Sequence, residues 1–177
     1  MDNPLGNFNY CPKCGSLHFL ENDVRSKRCS DCGFVFYLNA GSAVAAFILN
    51  ERNELLLCRR KYDPYKGTLD LPGGFVEFGE TAEEAIAREV MEEVGGKVVS
   101  ADYFESFPDV YPFSGMEVHT LDLTFVCRLS DYDHLNAGDD AAECMFIPLK
   151  EVDTSLVALV SIRHLLDSFL KKYREGE

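Results

Sequence analysis

Basic residues are scarce in this chain. Of 177 residues, 17 are Lys or Arg against 30 Asp or Glu, a formal net charge of −13. A surface that acidic repels nucleic acid and anionic membranes, and a phosphorylated ligand would need a divalent cation as a bridge. Long apolar runs are missing too. The longest, AVAAFIL at 43–49, is far too short to cross a bilayer. The N-terminal MDNPLGNFNY has no basic region followed by an apolar stretch, so no secretory signal is expected. No internal repeat or low-complexity tract is found. The length suits one domain plus a small appendage.

The cysteines number seven. Cys58, Cys127 and Cys144 stand alone in apolar stretches and read as small buried hydrophobes in a reducing, cytoplasmic setting. The other four form a pattern. YCPKCGS and KRCSDCGF give C-x2-C-x14-C-x2-C from Cys11, Cys14, Cys29 and Cys32, each pair followed by glycine. Such knuckles aim four thiolates at one ion, the closed tetrahedral set of a structural Zn²⁺. Four protein ligands leave no open position, so this metal is not expected to catalyse. The alternative reading is two pairs of buried or disulfide-linked cysteines.

Composition shifts near residue 40. Residues 1–39 are polar and cysteine-bearing, and the order afterwards predicts β-β-α-β-β-β-α. SAVAAFIL (42–49) and ELLLCRR (54–60) read as a hairpin around NERN. Residues 81–94 predict a helix, with Thr81 and Glu84 at capping-box spacing and Gly95-Gly96 as its stop. KVVSADYF (97–104) predicts a strand, SFPDVYPFSG (106–115) a loop, and EVHTLDLTFVCRL (117–129) a long strand. ECMFIPL (143–149) is a short strand, and 155–173 an amphipathic helix.

The helix at 81–94 carries the chemistry. Glu89, Glu92 and Glu93 are spaced i, i+3, i+4 and project together, flanking the apolar stripe Ile86, Val90 and Val94. Like charges so placed destabilise a helix by roughly 0.2–0.5 kcal/mol per pair. Between Thr81 and Gly96 the only base is Arg88. The bland reading is a solvated acidic face. The sharper one is an oxygen cage for Mg²⁺ or Mn²⁺. Reading on from Gly74 gives G-x5-E-x7-R-E-V-x-E-E-x-G, with Glu80, Arg88, Glu89, Val90, Glu92, Glu93 and Gly95 in the fixed places. This resembles the Nudix box, departing only where Gly96 replaces a final aliphatic.

The resemblance covers about residues 40–175. It implies an α+β fold, an αβα sandwich with a mixed β-sheet, here preceded by a small β zinc ribbon. The expected division is 1–39 zinc ribbon and 40–177 hydrolase. It implies hydrolysis of the pyrophosphate linkage in a nucleoside diphosphate derivative such as NADH or ADP-ribose. By position, Glu89, Glu92, Glu93 and the Gly73 carbonyl would hold the catalytic Mg²⁺ or Mn²⁺, with Glu77 a further candidate. Arg88 would pair with Glu80 or Glu89 and shape the cage. The resemblance leaves the general base open between the box helix and a later loop. Glu143, after Asp139 and Asp140, is the favoured extra acid or metal contact. Arg59 and Arg60 are candidates for substrate phosphate, the alternative being surface ion pairs. A ribbon before a Nudix domain is similar in arrangement to NADH pyrophosphatases, which carry S-Q-P-W-P-F-P-x-S after the box. Here SFPDVYPFS keeps Ser106, Pro108 and Ser114, with Phe107 in place of Gln and Asp109 in place of Trp. Phe107, Tyr111 and Phe113 could stack a nucleobase or simply pack onto the core. The resemblance makes a homodimer plausible. A second function class is a nucleotide-sensing regulator whose ribbon binds nucleic acid. Against it, every box acid is present, and Lys13, Arg25, Lys27 and Arg28 are offset by Glu21, Asp23 and Asp31. The expected partner is a small nucleotide rather than nucleic acid or membrane.

Overall fold

The computed structural model describes residues 4–138 and 141–174, the side chains of Tyr111, Ala141 and Arg174 excepted. Three antiparallel strands come first, β1 (Phe19–Asp23), β2 (Ser26–Cys29) and β3 (Val35–Tyr37), in the order β1-β2-β3. Their core is small: Cys11, Phe19 and Cys29 are buried, with Phe34 and Phe36 packed against them. So little apolar burial does not hold a sheet by itself, and a covalent or metal staple is the usual supplement.

The remaining strands form two sheets. In one, the order is β7-β4-β9-β8, from β4 (Gly41–Ile48), β7 (Gly73–Phe75), β8 (Val98–Phe113) and β9 (Met116–Leu129). Only β4 and β9 run parallel, so the sheet is mixed. The other has β5 (Glu54–Arg60) between β10 (Ala141–Pro148) and the two-residue β6 (Leu69–Asp70). The helices are α1 (Ala82–Val94) and α2 (Val160–Arg174).

The unbroken apolar run of β4 follows from burial on both faces. Val44, Ala46 and Ile48 point into the core that holds Ala85, Ile86, Val90 and Val94 of α1. Ala45 and Phe47 point the other way, towards Leu165, Leu166 and Phe169 of α2. Phe47 stacks on Phe169 with ring centroids 4.0 Å apart. Strand β5 divides likewise, Leu56 and Cys58 to one core and Leu55 and Leu57 to the other. The result is two cores, with a helix on each.

Several expectations need correction. The hairpin between β4 and β5 shrinks to a single antiparallel bridge, Leu49 with Leu55, and the two strands then diverge into separate sheets. The stretch 106–113 is not a loop. It continues β8, antiparallel to β9 as far as Phe113 opposite Met116. Ser114 (φ 51°) and Gly115 (φ 76°) make the tight turn. Pro108 and Pro112 are tolerated because β8 lies at the sheet edge, where a missing N–H costs no ladder bond on the outer side. The final helix begins at Val160, after a separate 3-10 turn at Thr154–Leu156. Cys58 and Cys144 are not isolated buried thiols. They face each other across β5 and β10 and form a disulfide, a contact hidden by a separation of 86 residues. Cys127 is free and buried, as expected. Among the described residues, no helix is long and apolar enough to cross a membrane.

Candidate functional site

Helix α1 is fixed at both ends by its own sequence. Thr81 accepts from the Glu84 N–H while Glu84 accepts from the Thr81 N–H, a reciprocal capping box. Gly95 closes the helix in the left-handed conformation, its N–H reaching the Met91 carbonyl while the Gly96 N–H reaches that of Val90. The box side chains are thereby held in place along one flank of the helix.

Arg88 is the hub. Its guanidinium donates to both oxygens of Glu80 (Nε 2.7 Å, Nη2 3.0 Å), to Glu89 at 2.8 Å, to Glu92 at 3.1 Å and to the Phe75 carbonyl at 3.0 Å. It therefore pairs with Glu80 and Glu89 together, and it ties α1 to β7. Three carboxylates share this one cation, and among the described residues no other Lys or Arg forms an ion pair with any of them. Two negative charges are left for another cation to balance, and the donors are all hard oxygens, a set that fits a divalent ion such as Mg²⁺. Burial pushes the Glu89 carboxyl up, against the pull of Arg88. Gly74 packs so tightly here that an added Cβ would lie 2.5 Å from Glu89 Oε1. Glu93 Oε2 accepts from the Gly73 N–H at 3.0 Å, which brings Glu93 to β7.

Gly73, Gly74 and Glu93 form one side of a cavity of about 590 Å³. Arg59 and Arg60 also line it. Arg60 Nη1 donates to Asp70 at 2.7 Å and Nε donates to the Pro64 carbonyl, while Arg59 Nη1 donates to the Gly67 carbonyl at 2.7 Å. Burial raises the Asp70 carboxyl despite its bonds to Arg60. Glu143 sits opposite Arg59 in the β5–β10 ladder, with 3.7 Å between Arg59 Nε and its carboxylate, and does not reach the cavity wall. Glu77 is exposed in the β7–α1 connection, and no hydrogen bond or ion pair joins its carboxylate to the box acids. Asp139 and Asp140 lie outside the described residues.

The aromatic candidates separate. Phe113 lines the cavity. Phe107 is partly buried and stacks on His164 of α2 at 4.0 Å, packing onto the core rather than into the cavity. The Tyr111 side chain lies outside the described residues. Sequence reasoning missed Asp109 and Asp122, which also line the cavity. The sequence gives no signal for them: Thr120, Asp122 and Thr124 alternate along β9 as a solvent-facing polar stripe would, and only the structure shows all three buried. Burial pushes Asp122 up, with the Ser161 and Thr120 hydroxyls pulling it back.

The four ribbon cysteines converge, all four sulfurs within 4.8 Å of one another. Cys11 and Cys32 sulfurs are 3.8 Å apart, and those of Cys14 and Cys29 3.6 Å. A tetrahedral thiolate site with metal–sulfur bonds of about 2.3 Å has sulfur–sulfur edges of about 3.8 Å, so the set fits an ion. Gly15 (φ 75°) and Gly33 (φ 71°) supply the left-handed turns, each N–H returning to the first cysteine of its pair. The Cys32 and Asp31 amides draw the Cys29 thiol down to about 6. Cys14, despite the Ser16 amide, is pushed up to about 12 by the neighbouring sulfurs, beginning with Cys32. Clustered thiols resist ionising together until a cation joins them.

Comparison with known proteins accords with this geometry. The NUDIX domain profile matches residues 40–168. An ADP-ribose pyrophosphatase of Methanocaldococcus jannaschii is 42% identical over 118 residues, 66% of this chain and 66% of that protein. The NAD-capped RNA hydrolase NudC of Vibrio parahaemolyticus is 32% identical over 134 residues, 76% of this chain and 47% of that protein. The chain thus spans about half to two thirds of the length of these relatives. The crystal structure of a NUDIX hydrolase from Nitrosomonas europaea superposes with a TM-score of 0.76 at 26% identity, covering 96% of this chain and 94% of that one. The profile spans well over half of the sequence and includes the whole glutamate cluster, and the chain belongs to the NUDIX family.

Proposed function

We propose that the protein is a Mg²⁺- or Mn²⁺-dependent hydrolase that cleaves the pyrophosphate linkage of a nucleoside diphosphate derivative, with ADP-ribose and NADH as the leading candidates. One observation carries this reading: Glu80, Glu89 and Glu92 share the single cation Arg88 beside a cavity that Glu93, Arg59 and Arg60 line. Glu89, Glu92 and Glu93 are the proposed ligands of the catalytic ion, with the Gly73 carbonyl and Glu77 as further donors. Bound there, the ion supplies charge neutralisation at the phosphates and a lowered pKa for the attacking water. Arg88 keeps the carboxylates in register through its bidentate bond to Glu80. Arg59 and Arg60 contact substrate phosphate. Glu143 acts through Arg59, whose guanidinium it faces.

Residues 1–39 form a zinc ribbon and residues 40–177 the hydrolase unit in this reading, with Zn²⁺ held by Cys11, Cys14, Cys29 and Cys32 in a structural role. The cytoplasm is its proposed setting, which the five free cysteines favour and the Cys58–Cys144 disulfide does not. A pair of copies is the proposed assembly, which light scattering checks. The activity test is a set of nucleoside diphosphate derivatives incubated with purified protein and Mg²⁺ or Mn²⁺, with the products resolved by chromatography. A nucleoside monophosphate released from at least one of them, and none in EDTA, is the expected result. An intact set at every metal concentration refutes the reading.

A further inference from the structure

The cavity has a wall that the box chemistry does not use. Strands β8 and β9 pair so that Asp109 faces Thr120 and Phe107 faces Asp122. Directly opposed residues share a face of the sheet, so Asp109, Thr120 and Asp122 stand together on the side that α2 covers. Asp122 is satisfied there: the Ser161 hydroxyl of α2 donates to it at 2.5 Å. Asp109 is different. It is only 8% exposed and lines the cavity, yet no hydrogen bond or ion pair reaches it among the described residues. Arg60, which also lines the cavity, is held by Asp70 and the Pro64 carbonyl rather than by Asp109. Among the described residues no buried side-chain oxygen lacks a partner, so the Asp109 oxygens are not sealed in but open onto the cavity. Asp122 stands beside it on the same face of the sheet.

Donors reach these oxygens from within the cavity, from water or from a ligand that displaces it. The ligand donors sit on a group that is not anionic, because an anion would meet two carboxylates. They come in pairs, because a carboxylate accepts two parallel bonds best. The neighbouring walls, Leu159, Ile162 and Phe113, are apolar and suit the faces of a base or sugar. We propose that Asp109 is a specificity-determining contact, accepting hydrogen bonds from the paired donors of the nucleoside half of the substrate while the phosphates lie at the Glu93 end of the cavity. That orientation rests on the hydrolase reading above. The donors belong to a vicinal ribose diol or to the N–H edge of an amino-bearing base. This position is also where the motif of the NADH pyrophosphatases carries Trp in place of the acid, so the contact sets this chain apart from that pattern.

Titration calorimetry of the full chain with Mg²⁺ tests it, using AMP, 2′,3′-dideoxy-AMP, GMP, IMP and ribose 5-phosphate. The unaltered protein binds at least one of these, and Asp109→Asn weakens that binding by tenfold or more while circular dichroism shows the fold retained. A diol contact shows as a matching loss with the dideoxy nucleotide and as retained binding of ribose 5-phosphate. A base contact shows as loss with ribose 5-phosphate, or with IMP relative to GMP. In either case, removing the ligand donors from the Asp109→Asn protein adds little further loss. Unchanged dissociation constants across the set in folded Asp109→Asn and Asp109→Ser overturn the inference, as does an unaltered protein that binds none. The hydrolase reading fails separately: Asp109-dependent binding with no pyrophosphate cleavage refutes catalysis and keeps the contact, whereas cleavage with a KM indifferent to Asp109 does the reverse.

Discussion

Arg88 makes five hydrogen bonds from one guanidinium, and no other side chain reproduces that fork. Arg88→Lys keeps the charge but loses the bidentate grip on Glu80 and the tie to Phe75. It is expected to lower kcat by tenfold or more and to lower Tm, read together by steady-state assay and thermal melt. Glu93→Gln and Glu92→Gln are expected to reduce kcat by about 100-fold or more with an unshifted melt, since even groups that merely support metal ligands are commonly worth 10–100-fold. Asp122 carries the opposite sign for stability. Its carboxyl is raised from 3.8 by burial, so its contribution favours the fold below that value and is lost as pH rises through the higher folded value. Asp122→Asn is thus expected to melt above the unaltered protein at pH 7, by about 2–4 °C for each kcal/mol gained. The gap should close towards pH 4, and a lower melt at pH 7 contradicts this account of the buried acid. The residues of the box and of the cysteine pairs are legible in the sequence because each set acts within a short span. Asp109 and Asp122 are not, because their burial arises only when β8, β9 and α2 come together.

Helix α1 shows how far local signals carry. Thr81, Glu84 and Gly95 mark its ends in sequence and hold them in the structure. Thr81→Ala removes one reciprocal bond and is expected to cost about 1 kcal/mol, a fall of about 2–4 °C in Tm, with KM unmoved. Strand β8 shows where such signals fail. Pro108 and Pro112 argue for a loop, yet an edge strand has one side with no ladder to break. The β4–β5 connection fails differently. NERN is a sound turn, but both strands bury both faces, and each finds its partners in a different sheet. The bond between Cys58 and Cys144 belongs with these misses, since only the pairing of β5 and β10 brings the two sulfurs together.

Across the whole molecule, a chain of net charge −13 gathers acidic or thiol groups at two places, the four ribbon sulfurs and the α1 glutamates. The ribbon, whose buried core comprises Cys11, Phe19 and Cys29, has four sulfurs placed to hold an ion. Cys11→Ser is expected to lose zinc by elemental analysis and to destabilise the N-terminal sheet, with hydrolysis retained. The proposed role of the cluster on α1 requires a second kind of cation. That claim meets its most direct test in ADP-ribose hydrolysis followed against Mn²⁺ concentration, for the unaltered protein and for Glu93→Gln. The expected result is AMP formation that saturates with Mn²⁺, vanishes in EDTA and falls about 100-fold or more in the variant. AMP formed at the same rate without divalent ion, or by the variant, contradicts the account.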